Sequence, residues 1–343
     1  MGMVPTQVIL DFQTNLVSIM EREFDRLSAN LWWTKVAKVR QSLSLNETIA
    51  WLIADAMIRD QGSGGNYRFD DIGSKTTEIE NRYAGAAFKI PQAMLQDLYN
   101  GIPGGKAFEL GSEWAAQIGA YMAYWPQKQT AYVLKNGHTA SLFTAYDGKA
   151  LFATDHLTNP ADSSKGSFSN YLSGGAYDVS ESVSADAALA VLNSVRAAIA
   201  AYKMPNGEDP KLLMPRGIVA PPKLTPRLSQ LTSAKFLAQA ATSGGGSGDV
   251  ERYIQTQGYG EIIEAPELAG FESDKTFFVL CDVAQSSQLG GIVYQEREAF
   301  SMQKYDITTS PDLGRKQELE WHVQGRNAIA PGHPYAIVKV KGT

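Results

Sequence analysis

Apolar residues recur at three- and four-residue steps from near the start of the chain. Ile9, Phe12, Leu16, Ile19, Met20, Phe24 and Leu27 fall on one face, which predicts an amphipathic helix over residues 7–28. A second apolar stretch, "NETIAWLIADAMI" at 46–58, predicts another helix with Asn46 as its N-cap. Residues 61–90 change character. They are polar and rich in glycine, with short strand-like runs at Tyr67–Ile72 and Thr76–Ile79 on either side of Gly73-Ser74-Lys75. This pattern predicts a long, exposed β-hairpin with its turn at those three residues. A two-stranded hairpin has little to bury against itself, so it is expected to lie on a partner.

A long helix is predicted over 104–135. Pro126 should kink or split it, because proline removes a helix hydrogen bond and crowds the preceding turn. Asn136-Gly137 should end it. Residues 138–183 read as loop and short strand, and Ser184 caps an alanine-rich helix. "MPNGEDP", 204–210, is a turn cluster and a candidate boundary. Beyond it the pattern becomes α/β. "KLLMPRGIVA" is a strand pair or a bent strand, and "LTPRLSQLT" is a short helix with Thr225 at the N-cap and Pro226 at the first helical position. "SGGGSGD", 243–249, is a flexible loop. "GEIIEAPEL", "TFFVLCDV" and "GGIVYQEREAFSMQ" are strands. The last stretch, "QELEWHVQGRNAIAPGHPYAIVKVKG", alternates like a strand pair folded at Pro331-Gly332.

Composition narrows the class. The chain has 343 residues, 44% hydrophobic and 20% charged, enough for two domains or one elaborate one. The formal charge of -5 makes it a poor candidate for coating DNA, although it could enclose DNA without adhering to it. The one cysteine, Cys281, lies in an apolar run. This excludes a disulfide within the chain, argues for a buried structural thiol and fits the cytosol. No targeting segment, myristoylation signal or membrane span is read.

The candidate chemistry is thin. "NGIPGGKAF", 100–108, approaches a phosphate loop, but Gly101 is one residue too close to Gly105-Lys106 and Ala107 has no hydroxyl for magnesium. Ser247, in Gly245-Gly246-Ser247-Gly248-Asp249, lacks the last glycine of a nucleophile elbow. His138, His156, His322 and His333 are scattered, whereas metal ligands cluster. "YDGKALFATDH", 146–156, holds the best trio: Asp147, Asp155 and His156 could chelate a divalent metal. The same residues are ordinary turn chemistry, in which Asp and Asn side chains bond nearby amides. Lys75 at the expected hairpin tip reads as an edge-solubilising charge. Trp32-Trp33 reads as a core or interface anchor. No catalytic residue, cofactor site or metal site is assigned. The architecture of projecting parts suits a subunit stabilised by many neighbours.

The order of these features resembles the Mu-like bacteriophage major head (capsid) subunit family, with its HK97-like fold. Four stretches carry the resemblance. "TTEIENRYAGAAFKIPQAMLQDL" (76–98) is similar to the hairpin return, and "AYMAYWPQKQTAYVLKNG" (120–137) to the long helix with its aromatic-proline break. "YDGKALFATDH" is the most specific, although Leu157 stands where the family usually has proline. "GGIVYQEREAFSM" and "WHVQGRNAIAPGHPYAIVKVKG" resemble the closing strands.

The resemblance implies an α+β fold. Its parts would be an N-terminal arm (1–60), an extended β-hairpin loop (61–90), a peripheral domain with a spine helix (91–205), an axial α/β domain (206–304) and peripheral C-terminal strands (305–343). The 243–249 loop would meet its copies at the symmetry axes. The implied function is a major capsid protein of a tailed bacteriophage. It would assemble into hexamers and pentamers of an icosahedral shell around double-stranded DNA, located in the virion and assembled in the host bacterial cytoplasm. No long acidic or coiled N-terminal extension is read, so a separate scaffolding protein is expected. A portal and a decoration or minor capsid protein are further partners. A cellular nanocompartment shell of the same fold, and a metal-dependent hydrolase built on Asp147, Asp155 and His156, are the alternatives.

Overall fold

Two sheets and one long helix organise the chain in a computed structural model that describes residues 6–52, 74–99, 106–233, 236–238, 251–253, 258–282, 290–305, 316 and 318–343. The first half contains α1 (Thr6–Ser28), α2 (Trp33–Val36), β1 (Ala37–Gln41), β2 (Asn46–Leu52), β3 (Ser74–Glu80), β4 (Arg82–Pro91), α3 (Gln92–Tyr99), α4 (Lys106–Asn136), β5 (His156–Leu157), β6 (Ser167–Phe168) and β7 (Tyr171–Ser173). The second half contains α5 (Ala185–Ala200), β8 (Pro215–Ala220), α6 (Thr225–Ser233), β9 (Phe236–Ala238), β10 (Glu251–Tyr253), β11 (Glu261–Glu264), β12 (Thr276–Cys281), β13 (Ile292–Tyr305), β14 (Glu318–Pro331) and β15 (Ile337–Lys341).

The five-stranded sheet runs β11-β8-β12-β15-β7. All six residues of β12 are buried, without the alternation of a half-exposed strand, because both faces of this sheet are covered. Phe277, Val279 and Cys281 face a core completed by α5 and α6, with Val191, Leu192, Val195 and Leu228. Phe278 and Leu280 face the opposite core, completed by Val133 and Leu134 of α4. Burial pushes the Cys281 thiol up to about 12, so it remains a neutral core group.

The four-stranded sheet runs β1-β13-β14-β4. Its outer core joins Phe12, Leu16 and Met20 of α1, Ala115 and Met122 of α4, and Trp321 of β14. The expected amphipathic helix is therefore present. It docks on its own chain, where Phe12 meets Trp321 edge-on at 5.4 Å between ring centroids. Close approach depends on Gly119, where a Cβ would sit 2.2 Å from the Met20 carbonyl oxygen. The helix α4 passes through Pro126 without being split and ends at Gly137, whose amide reaches the Val133 carbonyl.

Three expected elements differ. Residues 46–52 form strand β2, not the start of a helix, and pair antiparallel with β3 from Asn46↔Glu80 to Leu52↔Ser74. The hairpin thus begins at 46. Gly73 lies outside the described residues, and Ser74 and Lys75 belong to the strand rather than to a turn at its tip. The reason is tertiary: the 46–52 run finds a strand partner, and a short apolar run does not by its period distinguish helix from strand. The β4 segment, expected inside the projecting loop, pairs with β14 along ten residues. Finally, β14 and β15 do not pair with each other. The chain turns at Pro331-Gly332 and changes sheets, so β15 lies between β12 and β7. The expected strand at 67–72, the 100–105 glycine stretch and the 243–249 loop lie outside the described residues.

One turn is strained. Glu272, Ser273 and Asp274 have φ of 46°, 60° and 59°, a left-handed run without glycine. Its anchor is Glu272, which accepts hydrogen bonds from Lys339 Nζ at 2.9 Å and Thr276 Oγ1 at 2.5 Å. Lys339 is fully buried, between the Tyr171 and Phe271 rings.

Candidate functional site

The 146–156 segment is built from a turn outward. The Gly148 amide reaches the Ala145 carbonyl at 3.0 Å, and Gly148 takes φ 81°, which a side chain resists. The turn aims Asp147 inward. Its Oδ1 accepts from the Lys149 amide at 3.2 Å, and its Oδ2 accepts from the Leu157 amide at 3.2 Å and from His156 Nδ1 at 2.8 Å. The other ring nitrogen, Nε2, donates to the Leu151 carbonyl at 3.1 Å. Both ring nitrogens therefore face oxygen atoms. Burial works against the Asp147 carboxylate, but the His156 ring and the two amides outweigh it and hold its pKa below the usual carboxylate value. His156 stacks on Phe168, and Phe152 anchors the loop against Phe278 at 5.4 Å.

Asp155 does not join this pair. It is exposed and ion-paired with Lys149. Among the described residues, no three His, Cys, Asp or Glu side chains converge as a metal ion would need. His322 pairs with Glu320 at 2.9 Å, and His333 stacks on Tyr335. Burial, with Lys211 and Lys38 nearby, lowers His333 to about 3, so its ring is neutral. The Asp147–His156 pair is thus a clasp that closes a loop on the sheet. Both side chains are fully buried, with no exposed edge for a substrate.

Two further polar clusters hold the architecture, and sequence reasoning found neither. At the root of the β2–β3 hairpin, buried Asn81 donates through Nδ2 to Ser42 Oγ and to the Ser44 carbonyl, both at 2.9 Å. Its Oδ1 accepts from buried Gln295 at 3.0 Å. Glu47 accepts from Ser42 Oγ at 2.7 Å, and hydrogen bonds led by that of Ser42 lower its pKa. These bonds tie the hairpin base to β13. At the junction of α4 with the five-stranded sheet, Glu267 accepts from Trp32 Nε1 at 3.1 Å and from Gln127 Nε2 at 2.6 Å. Gln127 Oε1 in turn accepts the Trp32 amide at 3.0 Å. Trp33, the other half of the tryptophan pair, meets Tyr294 edge-on at 5.2 Å. The partners are remote in sequence, so local pattern carries no sign of them.

Two family models match the chain. A family model described as Mu-like prophage major head subunit gpT matches residues 13–181. A second, described as phage capsid protein, matches residues 127–340. No curated protein matches. Among solved structures, the chain is similar to the capsid of the cyanophage P-SCSP1u, at 11% identity and a TM-score of 0.55, covering 91% of this chain and 88% of that one. It is also similar to the capsid of an empty GTA particle, at 13% identity and a TM-score of 0.50, covering 90% and 89%. At these identities the likeness is one of fold.

Proposed function

Because the chain belongs to the phage capsid protein family, we propose that it is the repeating subunit of a tailed-phage head, working by self-assembly into hexamers and pentamers around double-stranded DNA. The family match carries this reading. The α+β HK97-like fold expected from the sequence is that of the capsids it resembles. Its place is the virion shell, with assembly in the host cytoplasm. A separate scaffolding protein, a portal and a decoration or minor capsid protein complete the proposed set of partners. The roles assigned to Asp147, His156 and Asp155 are structural.

The domain assignment follows the sheets. The peripheral part comprises α1, the first half of α4 and the β1-β13-β14-β4 sheet. The axial part comprises the β11-β8-β12-β15-β7 sheet with α5 and α6. On this proposal β7, α5 and β15 belong to the axial part, where the sequence reading drew boundaries at 205 and 305. The extended loop is the β2–β3 hairpin. Its two strands form a sheet of their own, and its root is fixed by Asn81 and Glu47. Such a projection gains by lying on a neighbour.

Replacing Thr48–Glu78 with an Asn-Gly turn tests the hairpin's role, since Glu47 and Ile79 are register partners and the root is kept. Soluble, folded subunits that fail to close into shells under negative-stain electron microscopy are expected. Normal shells would refute the role. The DNA content of particles made in cells separates a phage head from a protein-filled compartment.

A further inference from the structure

A cleft of about 700 Å³ opens between the second half of α1, the middle of α4 and strand β13. Its floor is apolar and rich in methionine: Met20, Met122 and Met302, with Phe24, Phe300 and Trp33. The rim carries four carboxylates, Glu21, Asp25, Glu296 and Glu298, and among the described residues no lysine or arginine lines it. Of these carboxylates, Glu298 has a cation at its edge, Arg326 at 3.4 Å. The wall is locally irregular. The register of β13 against β14 shifts twice between Glu296 and Ser301, and five consecutive residues, 298–302, contribute to the cleft. A regular strand would turn alternate side chains away.

We propose that this cleft is a docking groove for a basic amphipathic helix of a partner protein. The floor and the rim each specify half of that ligand. Methionine side chains are flexible and polarisable, and a methionine and aromatic floor adapts to an apolar helix face. The carboxylate rim selects lysine and arginine on the flanks of the same helix and rejects an acidic one. The wall formed by α1 runs from Val17 to Ser28, roughly 16 Å or three helical turns. A single amphipathic helix fills that length. The groove belongs to one subunit, so binding does not depend on shell formation, and its failure leaves the capsid reading intact.

The test uses the full-length protein and a fluorescein-labelled leucine–lysine peptide of about four helical turns. A peptide of the same composition in scrambled order and a leucine–glutamate helix serve as comparisons. Fluorescence anisotropy should show binding of the first peptide and at least about tenfold weaker binding of the other two. The double variant Glu21→Lys/Asp25→Lys, at exposed positions of α1, should weaken the first peptide by about tenfold or more. Glu181→Lys/Glu208→Lys, exposed and outside the cleft, should leave it unchanged. Equal binding of the scrambled peptide, or equal losses in the two double variants, would reduce the effect to nonspecific charge attraction and overturn the proposal. So would a Glu21→Lys/Asp25→Lys protein that binds the peptide normally but changes its oligomeric state in sedimentation, which would make the cleft a contact between copies.

Discussion

Replacing Asp147 with alanine should unfold the chain far more readily than replacing Asp155, although the two lie in one short motif. Asp147 is fully buried and accepts from His156 Nδ1 and from the amides of Lys149 and Leu157. The substitution leaves three donors without their acceptor in a buried site. Breaking one partner of a buried pair costs about 3–5 kcal/mol, a large fraction of a total stability of about 5–15 kcal/mol. The Asp155 side chain is 64% exposed and pairs with Lys149 in solvent, so its loss costs about 1 kcal/mol or less. Urea unfolding of the unassembled subunit, followed by tryptophan fluorescence, separates these values. A slope of about 3 kcal/mol per molar gives a midpoint shift of roughly 1 M or more for Asp147→Ala. The pH dependence follows from the depressed pKa of Asp147. The unfolded chain binds the proton more readily, so the contribution is fully present above the unfolded value, about 3.9. It is lost as pH falls from there through the lower folded value. Asp147→Ala should flatten this acid limb. Equal midpoints for the two alanine variants, or an unchanged acid limb, would refute the assignment of a clasp.

Two further perturbations test the packing. Gly119→Ala places a Cβ against the Met20 carbonyl and should cost about 1–3 kcal/mol of packing strain. Limited proteolysis should then release α1 before the rest of the chain is cut. Ser273→Gly relieves the middle of the left-handed 272–274 turn and should raise thermal stability by about 1 kcal/mol, read as a higher melting temperature with the Glu272–Lys339 contact retained.

The helix α1 was legible because its apolar spacing is long and regular, and β12 because an unbroken apolar run needs cover on both faces. The hairpin was legible as a character change in the chain but not as a pairing. Its first strand, β2, is too short to separate strand from helix by period, and its partner begins at Ser74, more than twenty residues later. The closing strands read as two, yet nothing local says that Pro331-Gly332 carries the chain to another sheet. In "YDGKALFATDH" the turn was readable. The choice of Asp147 over Asp155 as the partner of His156 was not, because it depends on the direction in which the Gly148 turn points each side chain. Lys339 and Lys341 alternate like solvent-facing residues of an edge. Lys339 is buried because the 272–274 turn brings Glu272 to it across 67 residues.

The position of Pro126 in α4 has a mechanical consequence. Before it, Ala115 and Met122 pack with α1 and the four-stranded sheet. After it, Ala131, Val133 and Leu134 pack on the five-stranded sheet. The helix therefore crosses from one apolar core to the other at the residue that lacks an amide, where the helix bond to the carbonyl of Met122 is missing. The next residue, Gln127, is held by the polar Glu267 junction rather than by apolar packing. Cores resist deformation because they are close-packed. A change of angle between the two bodies is cheapest where a helix bond is absent and the contacts are hydrogen bonds. Pro126→Ala restores the bond. The gain of up to about 3 kcal/mol for a helix interior is offset by about 0.4–1 kcal/mol of unfolded-chain entropy, leaving a stabilisation of about 2 kcal/mol. Hydrogen exchange at residues 122–130 should slow in the variant, and the yield of closed shells should fall because the joint has stiffened. Slower exchange with shells formed at the normal yield would mean that the two bodies keep one angle throughout assembly, and that Pro126 marks only the boundary between two cores.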